Sequence, residues 1–362
     1  MIKKNSPMKN RTSRPSNWSP MKCWPWGAKP VSPVPAAKES RWLRRSVVPG
    51  RAPVTASGLN ESLANVDLIY SIAGVAMALD TGPLKLPSDA LMNGACRHFC
   101  LNGAGAGGRG LDVRLTADPA PVVTGYKKVF DSQDSWSIHS DGQDLYIIDQ
   151  YPPYARPIWT ARLCVDSGRV TLYCDEAIID PVSLTLAFNP IAYPLDQILL
   201  MHYLADHEGG ILHAAGWAMN DRGWVFAGKS GAGKSTLARL IDEGAGGDIL
   251  SDDRIVIRGT GQTHSMFGTP WPGEGQFAVN RGVNVERLIF LTRGNGNRIT
   301  EIRPAAAVSR LLPVLSVPWY DEKKVDSMMG FCENLLCRVP AYEFSFVPDL
   351  SAVDFLKGVA LA

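Results

Sequence analysis

The stretch Gly228-Lys229-Ser230-Gly231-Ala232-Gly233-Lys234-Ser235 constrains this chain more than any other. It has the G-x-x-x-x-G-K-S spacing of a phosphate-binding loop. Before it, Gly223 to Ala227 is a short apolar run with strand propensity. After it, Ser235 to Asp242 carries apolar residues at helical spacing, and Gly244 to Gly247 end that helix. A loop so placed leaves a buried strand and enters a helix. Its glycines let the backbone curl until several N–H groups face one centre, and the helix start adds partial positive charge. Lys234 can then reach the β- and γ-phosphates of a nucleoside triphosphate, and the Ser235 hydroxyl can ligate Mg²⁺. Gly228 to Ser235, with Thr236 behind them, are the expected binding residues, and ATP and Mg²⁺ the expected ligands.

At 362 residues the chain has room for two domains. It carries 37 Lys and Arg against 35 Asp and Glu, a net charge of +2. Twelve of the bases and a single acid, Glu39, lie at or before Arg51, so the remainder is acidic. A broad basic face for nucleic acid is not expected of it. No apolar run reaches the ~18 residues that cross a bilayer, so no membrane contact is expected. The seven cysteines are odd in number and form no C-x-x-C, which fits reduced thiols in a cytoplasmic protein and offers no zinc set.

Residues 1–62 are rich in Pro, Ser, Lys and Arg without hydrophobic periodicity, the composition of a disordered basic tail. Residues 63–190 read as a β-rich domain. Leu68 to Leu79 is strand-like, and Leu111 to Leu115 alternates cleanly. Trp136–His139 and Leu145–Ile148 form a hairpin about Asp141-Gly142, and Ile158–Val165 and Arg169–Cys174 form another. The run from Gly103 to Gly110 lacks the G-K-[ST] ending and reads as a flexible loop.

Residues 191–362 read as the nucleotide-binding domain. Pro194 to His207 is a helix, apolar over most of its surface, that opens this domain's core. Ile211 to Met219 is a strand, turned at Asn220–Gly223 into the strand that feeds the loop. That sets His213 antiparallel to the loop's own strand. Asp248 to Asp253 is a short strand ending in two acids, continued by Arg254 to Ile257. Val285 to Thr292 is a strand, Leu311 to Leu336 is helical with a break near Pro318, and Ala341 to Val347 adds a strand.

A triphosphate site needs a carboxylate for the metal and, in a kinase, a base near the acceptor hydroxyl. Asp252 and Asp253 are the candidates for both. Neighbours on a strand point to opposite faces, which gives the two different roles, unless the pleat breaks at the strand end and both turn inward. His213 can support the pair.

Leu212-His213, the strand and loop, then Leu250-Ser251-Asp252-Asp253-Arg254-Ile255 together resemble the C-terminal catalytic domain of the HPr kinase/phosphorylase family. The likeness spans Ile198 to Leu291. It implies an α/β or α+β fold: a phosphoenolpyruvate-carboxykinase-like P-loop kinase core, a mixed sheet with flanking helices, preceded here by the β-rich domain and the tail. It implies that Lys234 holds phosphates, that Ser235 and Asp252 serve Mg²⁺, and that Asp253 is the base supported by His213. Glu274 would take a metal role and Arg281 a phosphate role. Thr236 stands where the family commonly has an acid. The likeness also implies a homo-oligomer.

The leading expectation is an ATP-dependent, HPr serine kinase-like enzyme that phosphorylates a serine hydroxyl of a peptide, protein or small molecule. The alternative is a non-catalytic ATP-binding accessory protein that gates a peptide or protein partner. Carboxykinase chemistry needs basic and metal-binding residues around oxaloacetate that the sequence does not offer.

Overall fold

The computed structural model of the chain describes residues 68–87, 94–101, 110–133, 135–149 and 156–361. The basic tail and nearly all of the Gly103–Gly110 run lie outside the described residues. The fold is mixed α/β, with two mixed sheets and few helices.

The first sheet holds β1 (Leu68–Ile72), β2 (Val75–Asp80), β3 (Cys100–Leu101), β4 (Leu111–Thr116), β5 (Lys127–Asp131), β6 (Trp136–Ser140), β7 (Asp144–Asp149), β8 (Trp159–Cys164) and β9 (Val170–Cys174). The strand order is β3-β1-β2-β4-β9-β8-β7-β6-β5. On β4, Leu111, Val113 and Leu115 are buried while Asp112 and Arg114 are exposed, the period of two that a half-buried strand requires. The β6–β7 turn is an Asx turn, in which Asp141 Oδ1 accepts from the N–H groups of Gln143 and Asp144, both at 2.8 Å. Leu68 to Leu79 is not one strand. It folds into the β1–β2 hairpin, turned at Ala73 and Gly74 with φ of 55° and 73°. No Asn-Gly or Asp-Gly marks this turn. The left-handed Ala73 is held by tertiary contact, its carbonyl accepting from Arg258 Nη1 at 2.9 Å.

Helix α1 (Leu195–Ala205) is buried on nearly every side. Leu195, Ile198, Leu199 and Leu200 share a core with Leu79, Leu115, Ile138 and Leu172 of the first sheet, and the cluster runs on to Ile211 and Val256. The helix therefore packs its apolar circumference between the two sheets rather than into the second alone.

The second sheet holds β10 (Gly209–Met219), β11 (Arg222–Ala227), β12 (Asp248–Ser251), β13 (Arg254–Thr260), β14 (Thr263–Phe267), β15 (Gly282–Arg293), β16 (Arg298–Ile302) and β17 (Ala341–Phe346). Its path is β11-β10-β13-β14-β15-β17-β16, and β11 also pairs with β15, so part of the sheet closes on itself. Strands β11, β15 and β17 run parallel, and their C-terminal ends meet at one end of the sheet. Helices α2 (Lys234–Gly244) and α5 (Leu350–Leu361) cover one face, where Leu237 and Ile241 join Trp217, Phe226, Phe344 and Leu356. Each such side chain contributes roughly 1.5–3 kcal/mol by leaving water. Helices α3 (Pro304–Leu311) and α4 (Glu322–Arg338) cover the other face, with Leu311, Phe331 and Leu335 against Leu212, Val225 and Leu288. The break near Pro318 is wider than the sequence suggests. The chain from Leu315 to Asp321 is not helical, and Ser316 N–H donates to the Ile211 carbonyl.

Candidate active site

The glycine loop begins where β11 ends. Gly228 N–H donates to the His213 carbonyl at 3.3 Å, which ties the loop's first residue to β10. Gly231 and Gly233 have φ of 78° and 99°, the left-handed region that glycine enters freely. Gly233 is also the N-cap of α2, and no side chain caps that helix. A Cβ at Gly233 would stand 2.8 Å from the Phe346 ring, so no other residue fits.

Lys234 opens α2 and is buried, with its ammonium donating to the Gly228 carbonyl at 3.1 Å and the Lys229 carbonyl at 3.3 Å. Burial pushes it down to about 8, against the opposing pull of Asp253. A buried cation resting on neutral carbonyls, beside an uncapped helix start, is the donor set an anion fits. Ser235 is half-buried just behind, while Lys229, Ser230, Gly231 and Thr236 are exposed at the rim and Ala232 is half-buried.

Ser251, opposite Gly216, shares the register of β13 along β10, where Arg254 lies opposite His213, and a bulge between Gly216 and Trp217 shifts the rest of β12. Asp252 and Asp253 sit at the interruption. The Ser251 hydroxyl makes the bend by accepting from the N–H groups of Asp253 and Arg254, at 3.4 and 3.3 Å.

The two acids have different surroundings. Asp252 is fully buried and accepts from Gly273 N–H at 2.8 Å, Gly275 N–H at 2.7 Å and Phe277 N–H at 3.4 Å. A Cβ at Gly273 or Gly275 would lie 2.7 or 2.8 Å from its Oδ2. Asp252, expected as a catalytic and metal-binding residue, has its carboxylate engaged by three N–H groups of the Gly273–Phe277 loop, which it anchors. Trp271 ties the same loop to α1, its Nε1–H donating to Asp196 at 3.0 Å.

Asp253 keeps one face open. Its Oδ1 lies 3.0 Å from His213 Nε2 and its Oδ2 accepts from Arg254 Nη1 at 2.6 Å. Burial pushes this carboxyl up, but the His213 hydrogen bond and the charges of Arg254 and Lys234 outweigh it and leave it below the usual carboxylate range. Burial holds His213 below its ordinary value, so it is a neutral imidazole at pH 7, donating through Nε2. Its Nδ1 has no partner among the described residues. His213 links Asp253 to the loop, since its carbonyl accepts from Gly228 N–H and its Nε2 meets the Asp253 carboxylate.

Glu274 rides on the anchored loop, exposed, with Oε2 at 3.6 Å from Arg239 of α2. Arg281 does not approach the glycine loop. It pairs with Asp221 and Asp248 at the β10–β11 turn, the opposite end of the sheet, and this corrects its expected phosphate role. Sequence reasoning left Arg293 and Arg310 unmentioned. Both line a cleft of about 420 Å³ beside the loop, with Phe290 and Val314 in its walls. Arg293 ends a strand parallel to the loop's own, a signal that the pairing of β15 with β11 makes visible only in three dimensions. Among the described residues no group of three His, Cys, Asp or Glu side chains is placed to hold a metal by itself. Mg²⁺ needs no such cage when phosphates supply most of its ligands.

No helix of the described residues is long and apolar enough to cross a membrane. No family model matches this chain, and no curated protein matches it. Among solved structures, the Hpr(Ser) kinase/phosphatase from Coxiella burnetii is a weak structural neighbour. It is 16% identical, covering 42% of this chain and 99% of its own, at a TM-score of 0.25. A likeness at that score decides neither fold nor activity, and what this chain does must be read from its own side chains.

Proposed function

We propose that this protein is an ATP-dependent phosphotransferase that moves the γ-phosphoryl group to a hydroxyl, that of a serine in a peptide or protein or of a small molecule. The observation that supports it most is the Asp253 carboxylate, oriented by His213 at 3.0 Å and Arg254 at 2.6 Å and close enough to Lys234 for each to shift the other's protonation. The loop N–H groups and Lys234 hold the phosphates. Mg²⁺ arriving with the triphosphate would sit against Ser235, with Glu274 the acid at the rim, and would offset the charge on the phosphate oxygens. Asp253 is ionised at neutral pH. It takes the proton of the acceptor hydroxyl as that oxygen bonds to the γ-phosphorus, and the bond from the γ-phosphorus to the bridging oxygen breaks to release ADP. His213 and Arg254 hold the carboxylate in place and touch no reacting atom.

One feature favours a second reading. Both Asp253 oxygens are already engaged, by His213 and by Arg254. That suits an accessory protein whose nucleotide state gates a peptide or protein partner without transfer. Incubation with γ-labelled ATP separates the two, counting label released to water and label moved to serine-bearing peptides. Phosphotransfer chemistry predicts turnover that Asp253→Asn lowers by about 10²–10⁴-fold while ATP still binds. Turnover unchanged in Asp253→Asn removes Asp253 as the base. ATP binding with no turnover at all selects the accessory reading.

A further inference from the structure

Arg293 closes β15 at the end of the sheet where β11 gives way to the glycine loop. One guanidinium nitrogen donates to the Gly231 carbonyl at 2.8 Å. The side chain is exposed and forms part of the wall of the cleft beside the loop. Two other arginines near the loop are neutralised, Arg254 by Asp253 and Arg310 by Glu343. Arg293 is not: among the described residues its one polar contact is the peptide carbonyl. A guanidinium has five N–H donors, so a single bond to Gly231 leaves most of them for something else. A peptide carbonyl is also a weak match for a full charge, whereas phosphate oxygens meet the planar fork two at a time.

We infer that Arg293 is a second phosphate-binding cation, which grips the terminal phosphates of the nucleoside triphosphate from the cleft side while Lys234 grips them from beneath the loop. This rests on the nucleotide-site reading above and adds a residue to it. The anion is met by two cations that bond different carbonyls of one turn, Lys234 those of Gly228 and Lys229 and Arg293 that of Gly231. Lys234 is buried, while Arg293 is exposed on the wall of the cleft. The bond to Gly231 then has a purpose: it holds the guanidinium over the loop before the ligand arrives, which lowers the ordering cost of binding.

The alternative is that Arg293 only ties the loop down. Two variants of the full-length protein separate the possibilities, with ATP affinity measured by titration calorimetry in excess Mg²⁺. R293Q keeps a donor for the Gly231 carbonyl and removes the charge. R293K keeps the charge and loses the fork. The expected result is that R293Q binds ATP about 30-fold more weakly than wild type, and that R293K stays within about fivefold of it. R293Q binding within about twofold of wild type, or R293Q and R293K losing affinity equally, overturns this role and leaves the nucleotide site standing. Wild-type protein that binds no ATP overturns the site and this role together.

Discussion

Each end of the second sheet carries an arginine set against aspartates, and the two ends differ in what surrounds them. At the β10–β11 turn, Arg281 pairs with Asp221, the side chains 38% and 89% exposed. At the other end, Arg254 pairs with Asp253, the side chains 8% and 31% exposed. The turn at the first end is closed by Asn220 and Asp221, both with positive φ. The chain at the second end is opened by Gly231 and Gly233, and an uncapped helix starts there. Charges alone therefore do not make a site. An exposed pair is screened and weak, whereas partly buried charges beside convergent N–H groups shift one another's protonation and attract an anion.

Four measurements test that contrast. The largest effect is expected at Asp253. Asp253→Asn should lower phosphoryl transfer by about 10²–10⁴-fold, read from labelled γ-phosphate, with ATP affinity almost unchanged. Next is Asp252, one residue away. Asp252→Ala removes the acceptor of three half-buried N–H groups and should cost about 3 kcal/mol in denaturant unfolding, with the Gly273–Phe277 loop loosened. Equal effects on stability from Asp252→Ala and Asp253→Ala would erase the division between the two acids.

The third effect is of pH. Lys234 must be protonated to pair with phosphate, and in the free protein it loses its proton at about 8. Above that pH, binding has to draw a proton in. ATP affinity should therefore be flat below pH 7 and fall by up to about tenfold per unit above pH 8, a change of about 1.4 kcal/mol per unit. Calorimetry across pH 6 to 9.5 checks it, and an affinity that rises with pH contradicts it. The smallest effect is expected at Arg281. Arg281→Ala should shift stability by roughly 0–1 kcal/mol, less at high salt, and leave ATP affinity unaltered.

Much of this contrast was readable in the chain before folding. The glycine loop, its strand and its helix are local patterns, and each formed where periodicity and spacing put it. Asp252 and Asp253 were legible as a pair, but strand alternation does not separate them, because both sit in the bend between β12 and β13, and the three N–H groups that hold Asp252 come from over twenty residues away. Arg281 misled because proximity in sequence to Glu274 says nothing about which end of a strand a residue reaches. Arg293 was silent because its meaning depends on β15 lying parallel to β11. The β1–β2 turn escaped notice because Ala73 needs Arg258, nearly two hundred residues on, to hold a left-handed backbone. Helix α5 and strands β14 and β16 had no counterpart in the sequence reading, whereas the break near Pro318 did.

The central claim is that the glycine-loop end of the sheet receives the phosphates of ATP, with Lys234 as their buried partner. Titration calorimetry of wild type and Lys234→Met, which keeps the side chain's length and removes its charge, tests it most directly. Saturable Mg²⁺-dependent ATP binding to wild type, weakened at least tenfold or so in Lys234→Met at unchanged melting temperature, is the predicted result. Equal binding to both proteins, or binding to neither, contradicts it.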